Sequence, residues 1–251
     1  MKGVILAGGS GTRLRPLTAI VNKHLLPVGS MPMIMHSIIK LKEAGVHDIL
    51  IIIGKQSAGL YAELLGSGRE LGVALSFRIQ DSPGGISEAL GLARSWLKHE
   101  DKCIVLLGDN LFEQSLQPYI EAYRALPTGA LVLLKQVDDP FRYGVPELQD
   151  GRIVGIEEKP SAPKSSYCVT GIYMYDSAVF DIIDELEPSK RGELEITDVN
   201  NAYARNGTLH YRVLDGWWTD AGTLESLHEA NMRLCAVAAS PDGTSEGGEP
   251  I

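Results

Sequence analysis

Wholly apolar segments alternate with amphipathic segments along the first half of the chain. Residues 49–53 and 103–107 contain no polar side chain, and strands without polar alternation are typical of a parallel sheet that is covered on both faces. The amphipathic segments between them repeat apolar residues at helical spacing. The pattern predicts strands and helices in alternation: strands at 3–6, 49–54, 74–80 and 103–107, and helices at 33–44, 58–65 and 86–97.

The second half of the chain is less regular. Its apolar segments are shorter and are separated by turn sequences such as Gln149-Asp150-Gly151. Residues 240–251 are rich in Gly, Pro, Ser and Glu, a composition typical of a disordered tail. The pattern predicts strands at 131–137, 144–148, 152–157 and 169–175, followed by helices at 178–186, 196–205 and 224–237.

Strands that alternate with helices predict an α/β fold. We expect a Rossmann-like, three-layer α/β/α architecture with a mostly parallel mixed central sheet. A chain of 251 residues is long enough for one such domain, which we place at residues 1–239. Ligands of such a sheet bind beyond the carboxyl ends of its strands. Candidate chemistry is therefore expected directly after the predicted strands.

Composition and charge narrow the range of partners. The net charge of −9 argues against a nucleic-acid binder, which needs basic surfaces to displace counterions. The apolar segments are far shorter than the roughly 20 residues of a membrane span. The N-terminus runs directly into a glycine-rich loop, so we expect a cytoplasmic protein. Cys103, Cys168 and Cys235 are far apart and lack the spacing of a zinc site.

The glycine-rich loop after the first predicted strand indicates a phosphate site. Gly8, Gly9 and Gly11 let the backbone approach a ligand, and successive amides of such a loop converge on phosphate oxygens. The loop is not a dinucleotide fingerprint, which needs glycine where Leu14 stands, nor a Walker A loop, which needs Gly-Lys-Ser/Thr. A tight turn is the alternative, but it needs neither three glycines nor Arg13.

The loop and the segment after it resemble the sugar-1-phosphate nucleotidyltransferase family. Residues 8–14, Gly-Gly-Ser-Gly-Thr-Arg-Leu, are followed at residues 23–27 by Lys-His-Leu-Leu-Pro, and later motifs stand in the order typical of the family. The match extends almost through residue 235 and is similar to the thymidylyltransferase branch in particular. The later motifs are those at 108–110, 142–145, 157–160, 169–173, 191–200 and 218–223.

The resemblance implies an activity and its partners. Such a thymidylyltransferase transfers dTMP from dTTP to glucose-1-phosphate with Mg²⁺ and releases dTDP-glucose and pyrophosphate, in rhamnose or deoxysugar synthesis. The resemblance also implies a homo-oligomer, a dimer or tetramer, with neither nucleic acid nor a membrane as partner. Residues of about 1–140 would then bind the nucleotide, and residues of about 141–239 the sugar phosphate.

The resemblance also assigns roles to individual residues. Arg13, Lys23 and Asp109 are the expected catalytic residues. The amide of Gln80 can pair with the donor and acceptor edge of a pyrimidine. The expected nucleotide-binding residues are Leu6, Gly8, Gly9, Gly11, Thr12, Arg13, Gln80, Pro83 and Gly85. The expected sugar-phosphate residues are Gly144, Glu158, Lys159, Val169 and Arg191, with Glu193 as a weaker candidate.

Two aspartates are the expected metal ligands. Asp109 follows a wholly apolar strand, so its carboxylate points toward the ligand crevice, and Mg²⁺ prefers one or two carboxylates together with phosphate oxygens and water. Asp220 precedes the predicted helix at 224–237 and fits an Asx turn or a helix cap as well. The resemblance implies that Asp109 and Asp220 hold the Mg²⁺ jointly.

Three departures from the longer bacterial thymidylyltransferases bear on specificity and regulation. His24 stands where they have glutamine, and Gly84 where they have aspartate, both near the expected nucleotide site. The chain also ends earlier than these relatives, whose C-terminal helices are tied to feedback inhibition, and the sequence alone does not decide whether that inhibition is kept.

Two other functions fit the same sequence. One is a uridylyltransferase or dual-specificity enzyme, which would use the same machinery. The other is a catalytically silent, nucleotide-sensing subunit. The presence of Arg13, Lys23, Asp109 and Asp220 argues against the silent subunit, because a binding module does not need the metal carboxylates.

Overall fold

The computed structural model describes residues 1–98 and 101–238. The strands are β1 Lys2–Ala7, β2 Pro27–Val28, β3 Met31–Pro32, β4 Asp48–Gly54, β5 Ala74–Gln80, β6 Cys103–Leu107, β7 Asn110–Phe112, β8 Ala130–Gln136, β9 Gly144–Gln149, β10 Arg152–Glu158, β11 Tyr167–Tyr175, β12 Leu209–Val213 and β13 Trp218–Asp220. The helices are α1 Met33–Glu43, α2 Ala58–Leu65, α3 Ile86–Gly91, α4 Gln117–Arg124, α5 Val179–Asp184, α6 Ile196–Arg205 and α7 Leu224–Ala238.

Within these residues, seven strands form the central sheet in the order β12-β8-β11-β6-β1-β4-β5. β1 pairs in parallel with β4 and β6, β4 with β5, and β8 with β12. β11 runs antiparallel to both of its neighbours, β6 and β8. The sheet is therefore mixed and mostly parallel, which confirms the predicted fold class.

Alternate residues of the central strands pack into hydrophobic layers on opposite faces of the sheet. On one face, Ile5 and Ile51 pack with residues of α1, α2 and α4. On the other face, Val4 and Leu50 pack with residues of α3, α5 and α6. These four strand residues have no exposed surface. Helices on both faces explain why the strands lack the polar alternation of a half-exposed sheet.

The small β7–β13 pair lies next to the carboxyl end of β6. Its register places Asp220 opposite Asn110, the residue that follows Asp109. The Ala221 amide donates a hydrogen bond of 2.8 Å to the Asp109 carbonyl. This pairing brings Asp109 and Asp220, which are far apart in the sequence, to one edge of the sheet.

Helix α3 is shorter than the sequence predicted. We expected a helix at 86–97, but α3 ends at Gly91 and turns follow. The amides of Leu92, Ala93 and Arg94 donate to carbonyls three residues earlier, so the chain tightens after the helix. Glycine is a poor helix former. The apolar spacing of the segment continues past Gly91 and therefore did not indicate that the helix ends there.

Several elements were not predicted at all. They are α4, the short strands β2, β3, β7 and β13, and the edge strand β12. In β12, His210 and Arg212 alternate with apolar residues, which is a strand pattern that the sequence did contain. The short pairs have no comparable signal, because two or three residues cannot establish a period.

Two expectations concern features that the fold leaves open. The disordered tail at 240–251 lies outside the described residues. The boundaries of a single domain at 1–239 stay a prediction. Among the described residues, no helix combines the length and the apolarity that crossing a bilayer requires.

Candidate active site

A cleft of about 380 Å³ opens at the carboxyl ends of the central strands. One wall consists of residues that follow β1, β5 and β6, and the other of residues from β10, β11 and the start of α6. Of the residues that the sequence assigned to a site, those lining the cleft are Leu6, Gly8, Gly9, Arg13, Lys23, Gln80, Pro83, Gly85, Asp109, Gly144, Glu158, Lys159, Val169, Arg191, Glu193 and Asp220.

Gly11 and Thr12 are not among the residues that line this cleft, and their expected role in nucleotide binding stays a prediction. Gly11 has a φ of 64°, which favours glycine, and begins a 3₁₀ turn over Thr12–Leu14. Its carbonyl accepts a hydrogen bond of 2.6 Å from the Thr18 hydroxyl. The fully buried Leu14 anchors the turn in the core. These residues shape the loop so that Arg13 reaches the cleft.

Arg13 lies beside one of the expected metal ligands. A Cβ atom added to Gly222 would lie 3.0 Å from Nη2 of Arg13 and 3.6 Å from Oδ2 of Asp220. The missing side chain at residue 222 therefore leaves room for the guanidinium next to the carboxylate. The loop cation and the carboxylate thus meet at one end of the cleft.

Lys23 and Asp109 form a nearly buried ion pair in the cleft. The Lys23 ammonium donates to Oδ2 of Asp109, and the two side chains are 13% and 12% exposed. Burial opposes the charged form of Asp109, but the charge and the hydrogen bond of Lys23 outweigh it and hold the pKa of Asp109 well below its usual range. Asp109 is therefore ionised at neutral pH.

Asn110 connects Asp109 to two further strands. Its Nδ2 donates a hydrogen bond of 3.0 Å to Oδ1 of Asp109. Its Oδ1 accepts from the Gly171 amide and from Nε1 of Trp218, each at 2.8 Å. Because both partners of Oδ1 can only donate, the amide orientation is determined. Asn110 thus fixes the Asp109 carboxylate relative to β11 and β13.

Asp220 has an unsatisfied oxygen. Its Oδ1 is buried and has no hydrogen-bond partner within the described parts of the chain. Nη2 of Arg142 lies 3.7 Å from it and is likewise without a hydrogen-bond partner there. Burial, and then the charge of Asp109, raise the pKa of Asp220 to about 6. An unpaired buried polar atom is costly, so Oδ1 is suited to coordinate a ligand.

The two aspartates fit a divalent cation. They lie close enough for the charge of Asp109 to raise the pKa of Asp220, and Oδ1 of Asp220 is available. Residues 1–98 and 101–238 contain no group of three or more His, Cys, Asp or Glu that could hold a metal. Mg²⁺ is typically bound by one or two carboxylates, with substrate phosphates and water completing the shell. The donor set matches that ion.

The opposite end of the cleft combines cations and carboxylates. Oε2 of Glu158 accepts a hydrogen bond of 2.7 Å from the Thr197 hydroxyl, and Oε1 lies 3.3 Å from Nζ of Lys159. Arg191 forms a bidentate ion pair with Glu195, in which its Nε and Nη2 donate hydrogen bonds of 3.1 and 2.7 Å. The guanidinium of Arg191 also lies 3.8 Å from Glu158. Two cations thus lie at this end of the cleft, each paired with a carboxylate.

The β9–β10 hairpin holds this end of the cleft together. Gly144 pairs with Glu158 in register, and the Lys159 amide donates a hydrogen bond of 3.0 Å to the Tyr143 carbonyl. Lys159 has a φ of 47°, which is uncommon for a residue other than glycine. Such strain, on the order of 1 kcal/mol or more, is often found at functional sites.

Comparison with known proteins identifies the family of the chain. A family model described as nucleotidyl transferase matches residues 2–237. The chain belongs to the nucleotidyl transferase family. A glucose-1-phosphate thymidylyltransferase from Neisseria meningitidis is 44% identical over 92% of this chain and 81% of its own. One from Xanthomonas campestris is 46% identical over 91% of this chain and 79% of its own.

Solved structures resemble this nucleotidyl transferase over nearly its whole length. A structure from Bacillus anthracis, described as a glucose-1-phosphate thymidylyltransferase in complex with sucrose, has a TM-score of 0.90 and 51% identity. It covers 99% of this chain and 98% of its own. A UDP-glucose pyrophosphorylase in complex with UDP-glucose has a TM-score of 0.81 and 25% identity, over 92% of this chain and 97% of its own.

Three further residues of this nucleotidyl transferase, to which the sequence assigned no role, line the cleft: Arg142, Tyr143 and Trp218. The rings of Tyr143 and Trp218 meet edge to face, with centroids 5.5 Å apart. Arg142 also forms a hydrogen bond of 3.0 Å with Asp139. These three residues lie in the motifs at 142–145 and 218–223, which were identified from the sequence. A motif alone does not show which of its side chains face the cleft.

His24 supports the turn that carries Lys23 in this nucleotidyl transferase. It is 2% exposed, and its Nδ1 lies 2.8 Å from Oδ1 of Asn22. The same oxygen accepts from the Tyr61 hydroxyl at 3.0 Å. Burial, assisted by the charge of Lys23, lowers the pKa of His24 to about 3. The imidazole is therefore neutral at physiological pH.

Proposed function

We infer that this nucleotidyl transferase transfers dTMP from dTTP to glucose-1-phosphate and releases dTDP-glucose and pyrophosphate. The observation that carries this proposal is the convergence of separate cationic groups and two carboxylates on one cleft. Two relatives named glucose-1-phosphate thymidylyltransferase align with 92% and 91% of the chain. The converging side chains are Arg13, Lys23, Asp109, Lys159, Arg191 and Asp220.

The proposed reaction is a direct in-line displacement. An oxygen of the sugar phosphate attacks the α-phosphorus of dTTP, the bond between the α- and β-phosphates breaks, and pyrophosphate leaves. A phosphate monoester has a second pKa of about 6, so the attacking group is already mostly dianionic at neutral pH. The reaction therefore needs no general base, and we assign no proton transfer to the neutral His24.

The main barrier is the repulsion between two polyanions. At about 4 Å and an effective dielectric constant near 20, one pair of unit charges interacts with about 4 kcal/mol. We assign Arg13 and Lys23 to the triphosphate, and Lys159 and Arg191 to the sugar phosphate. Arg191 is paired with Glu195 in this structure, so the incoming phosphate has to compete with that carboxylate.

We propose that Asp109 and Asp220 hold the Mg²⁺. The ion, when bound, neutralises charge on the triphosphate and on the departing pyrophosphate. The unsatisfied Oδ1 of Asp220 supports this assignment. Asn110 and Lys23 position the Asp109 carboxylate through hydrogen bonds to its two oxygens.

Binding of Mg²⁺ is expected to weaken as the pH falls through about 6. The pKa of Asp220 is raised to about 6, so below that pH a proton must leave before the carboxylate can coordinate. Apparent affinity should then fall about tenfold per pH unit, and level off above the pKa. Isothermal titration calorimetry with Mg²⁺, carried out between about pH 5 and about pH 8, measures this affinity. Affinity that is constant over this range would contradict the role of Asp220.

Pyrophosphate release from a matrix of nucleoside triphosphates and sugar-1-phosphates tests the proposed function. We expect dTTP with glucose-1-phosphate to give the highest kcat/KM, and chelation of Mg²⁺ to stop the release. Formation of labelled dTTP from labelled pyrophosphate and dTDP-glucose should confirm the reverse reaction. If no combination of substrates released pyrophosphate, the proposed transfer would be wrong.

A uridylyltransferase is the second candidate function. The structural match to a UDP-glucose pyrophosphorylase supports it, because thymine and uracil offer the same hydrogen-bonding edge to an amide such as that of Gln80. Initial rates with dTTP and UTP distinguish the two. A catalytically silent sensing subunit agrees less well with a cleft that retains both aspartates and Arg13.

Assembly and location stay predictions. A homo-oligomer, a dimer or tetramer, is expected from the resemblance, and analytical ultracentrifugation would test it. The cytoplasmic location expected from the sequence requires fractionation of the source cells.

A further inference from the structure

The amide of Gln80 is held in one orientation by two acceptors. Its Nε2 donates to Oε2 of Glu88, and it also lies 3.3 Å from the Gly85 carbonyl oxygen. Neither an ionised carboxylate nor a carbonyl can donate a hydrogen bond. The reversed amide would therefore place Oε1 against two acceptors. The nitrogen of Gln80 must face Glu88, and the oxygen must face the other way.

The oxygen of Gln80 faces the glycine-rich loop. Oε1 lies directly against Gly8, at a distance that would not admit a Cβ atom there. Gln80 and Gly8 both line the cleft, and Gln80 is 8% exposed. A base that enters between β5 and the loop therefore meets a hydrogen-bond acceptor from this side chain.

We propose that Glu88 is a positioning residue that sets base specificity through Gln80. By occupying the nitrogen of the amide, Glu88 presents Oε1 to the base. Thymine and uracil carry an N3–H donor that matches this oxygen, whereas cytosine carries an acceptor at N3 and meets repulsion. The inference rests on the proposed nucleotidyl transfer and predicts that cytosine nucleotides are rejected.

Gly84 leaves the space that Glu88 needs. A Cβ atom at residue 84 would lie 3.1 Å from Cγ, 3.2 Å from Cδ and 3.2 Å from Oε2 of Glu88. A larger residue would force the Glu88 side chain to shift by a few tenths of an ångström, and an aspartate would add a like charge. The departure at Gly84, which bears on specificity, is thus compatible with base selection because Glu88 supplies a carboxylate beside Gln80.

Replacement of Glu88 tests the proposal. In E88M, a side chain of similar length can no longer accept from Gln80, so the amide can turn. The kcat/KM ratio of dTTP to dCTP is expected to fall about tenfold, the scale of losing one hydrogen bond to a charged group. E88Q retains an acceptor and should restore most of the ratio. E63M, an exposed glutamate of α2 replaced in the same way, is the matched control.

Equilibrium binding of dTDP and dCDP to the same proteins gives a readout that does not depend on turnover. The wild type should prefer dTDP, E88M should lose most of that preference, and E63M should keep it. A preference in E88M that stays within about twofold of the wild type would overturn the role of Glu88. E88A replaces E88M if the latter does not fold. Absence of dTTP turnover in the wild type would instead overturn the proposed function. The two failures can be told apart because the ratio of dTDP to dCDP binding is measured without turnover.

Discussion

Replacing Asp109 with asparagine is expected to lower kcat at least about 100-fold, the scale of losing one preorganised electrostatic group. Asparagine has nearly the same shape but lacks the charge that binds Lys23 and that we assign to the metal. The low pKa of Asp109 implies that wild-type activity does not decline through titration of this carboxyl near neutral pH. Pyrophosphate release at saturating substrates, measured over a range of Mg²⁺ concentrations, gives the value.

The substitution also leaves the nearly buried ammonium of Lys23 without its partner, so folding must be checked. Removal of one member of a buried pair costs about 3–5 kcal/mol, and a melting curve by circular dichroism detects this. The double variant with Lys23→Met removes the unpaired charge, and its kcat is compared with that of Lys23→Met alone because Lys23 is itself assigned to the triphosphate. Asp150→Asn, in an exposed turn where residue 150 has a φ of 49°, is the control. Normal turnover by folded Asp109→Asn would exclude Asp109 from the mechanism.

Replacing Arg13 with alanine is also expected to lower kcat at least about 100-fold, because the guanidinium would no longer stabilise charge on the departing pyrophosphate. KM for dTTP should rise less than kcat falls, since the charge is greatest in the transition state. Arg13 is exposed at its loop, so the fold should be unchanged. Initial rates over a range of dTTP concentrations separate the two constants.

Arg15→Ala is the matched control for Arg13. Arg15 is an exposed arginine two residues further along the same loop and is not among the residues that line the cleft. Its replacement should change kcat by less than about threefold, because an exposed charge outside the site is largely screened. Equal losses in both variants would mean that the loop contributes only general positive charge.

The long apolar strands and the helices between them were predictable because each carries its own period. β5 has the predicted bounds, Ala74–Gln80, and β4 begins one residue earlier than predicted, at Asp48. α3 shows the limit of this approach, since its apolar spacing continues past Gly91 although the helix does not. Spacing reports which face is buried, and helix continuation depends on hydrogen bonds that spacing does not contain.

The candidate site likewise contains residues that the sequence indicated and residues that it did not. The sequence indicated two parts of the site: the glycine-rich loop with Arg13, and Asp109 directly after a buried strand. In both cases the chemistry depends on a few adjacent residues. The sequence did not indicate Arg142 or Glu88. Their importance lies in contacts with distant residues, Arg142 with Asp220 and Glu88 with Gln80. A single arginine or glutamate in a sequence is most often a solvated surface residue.

The order of apolar and polar residues therefore predicted the fold class, and the motifs predicted the family and many of the side chains that line the cleft. Three-dimensional packing decided which of them meet: the β7–β13 pair brings Asp220 to Asp109, and Glu88 turns the amide of Gln80. The physical reason is that periodicity and motifs record properties of neighbouring residues. Distances between distant residues, and the pKa values and hydrogen-bond orientations that depend on them, exist only once the chain has folded.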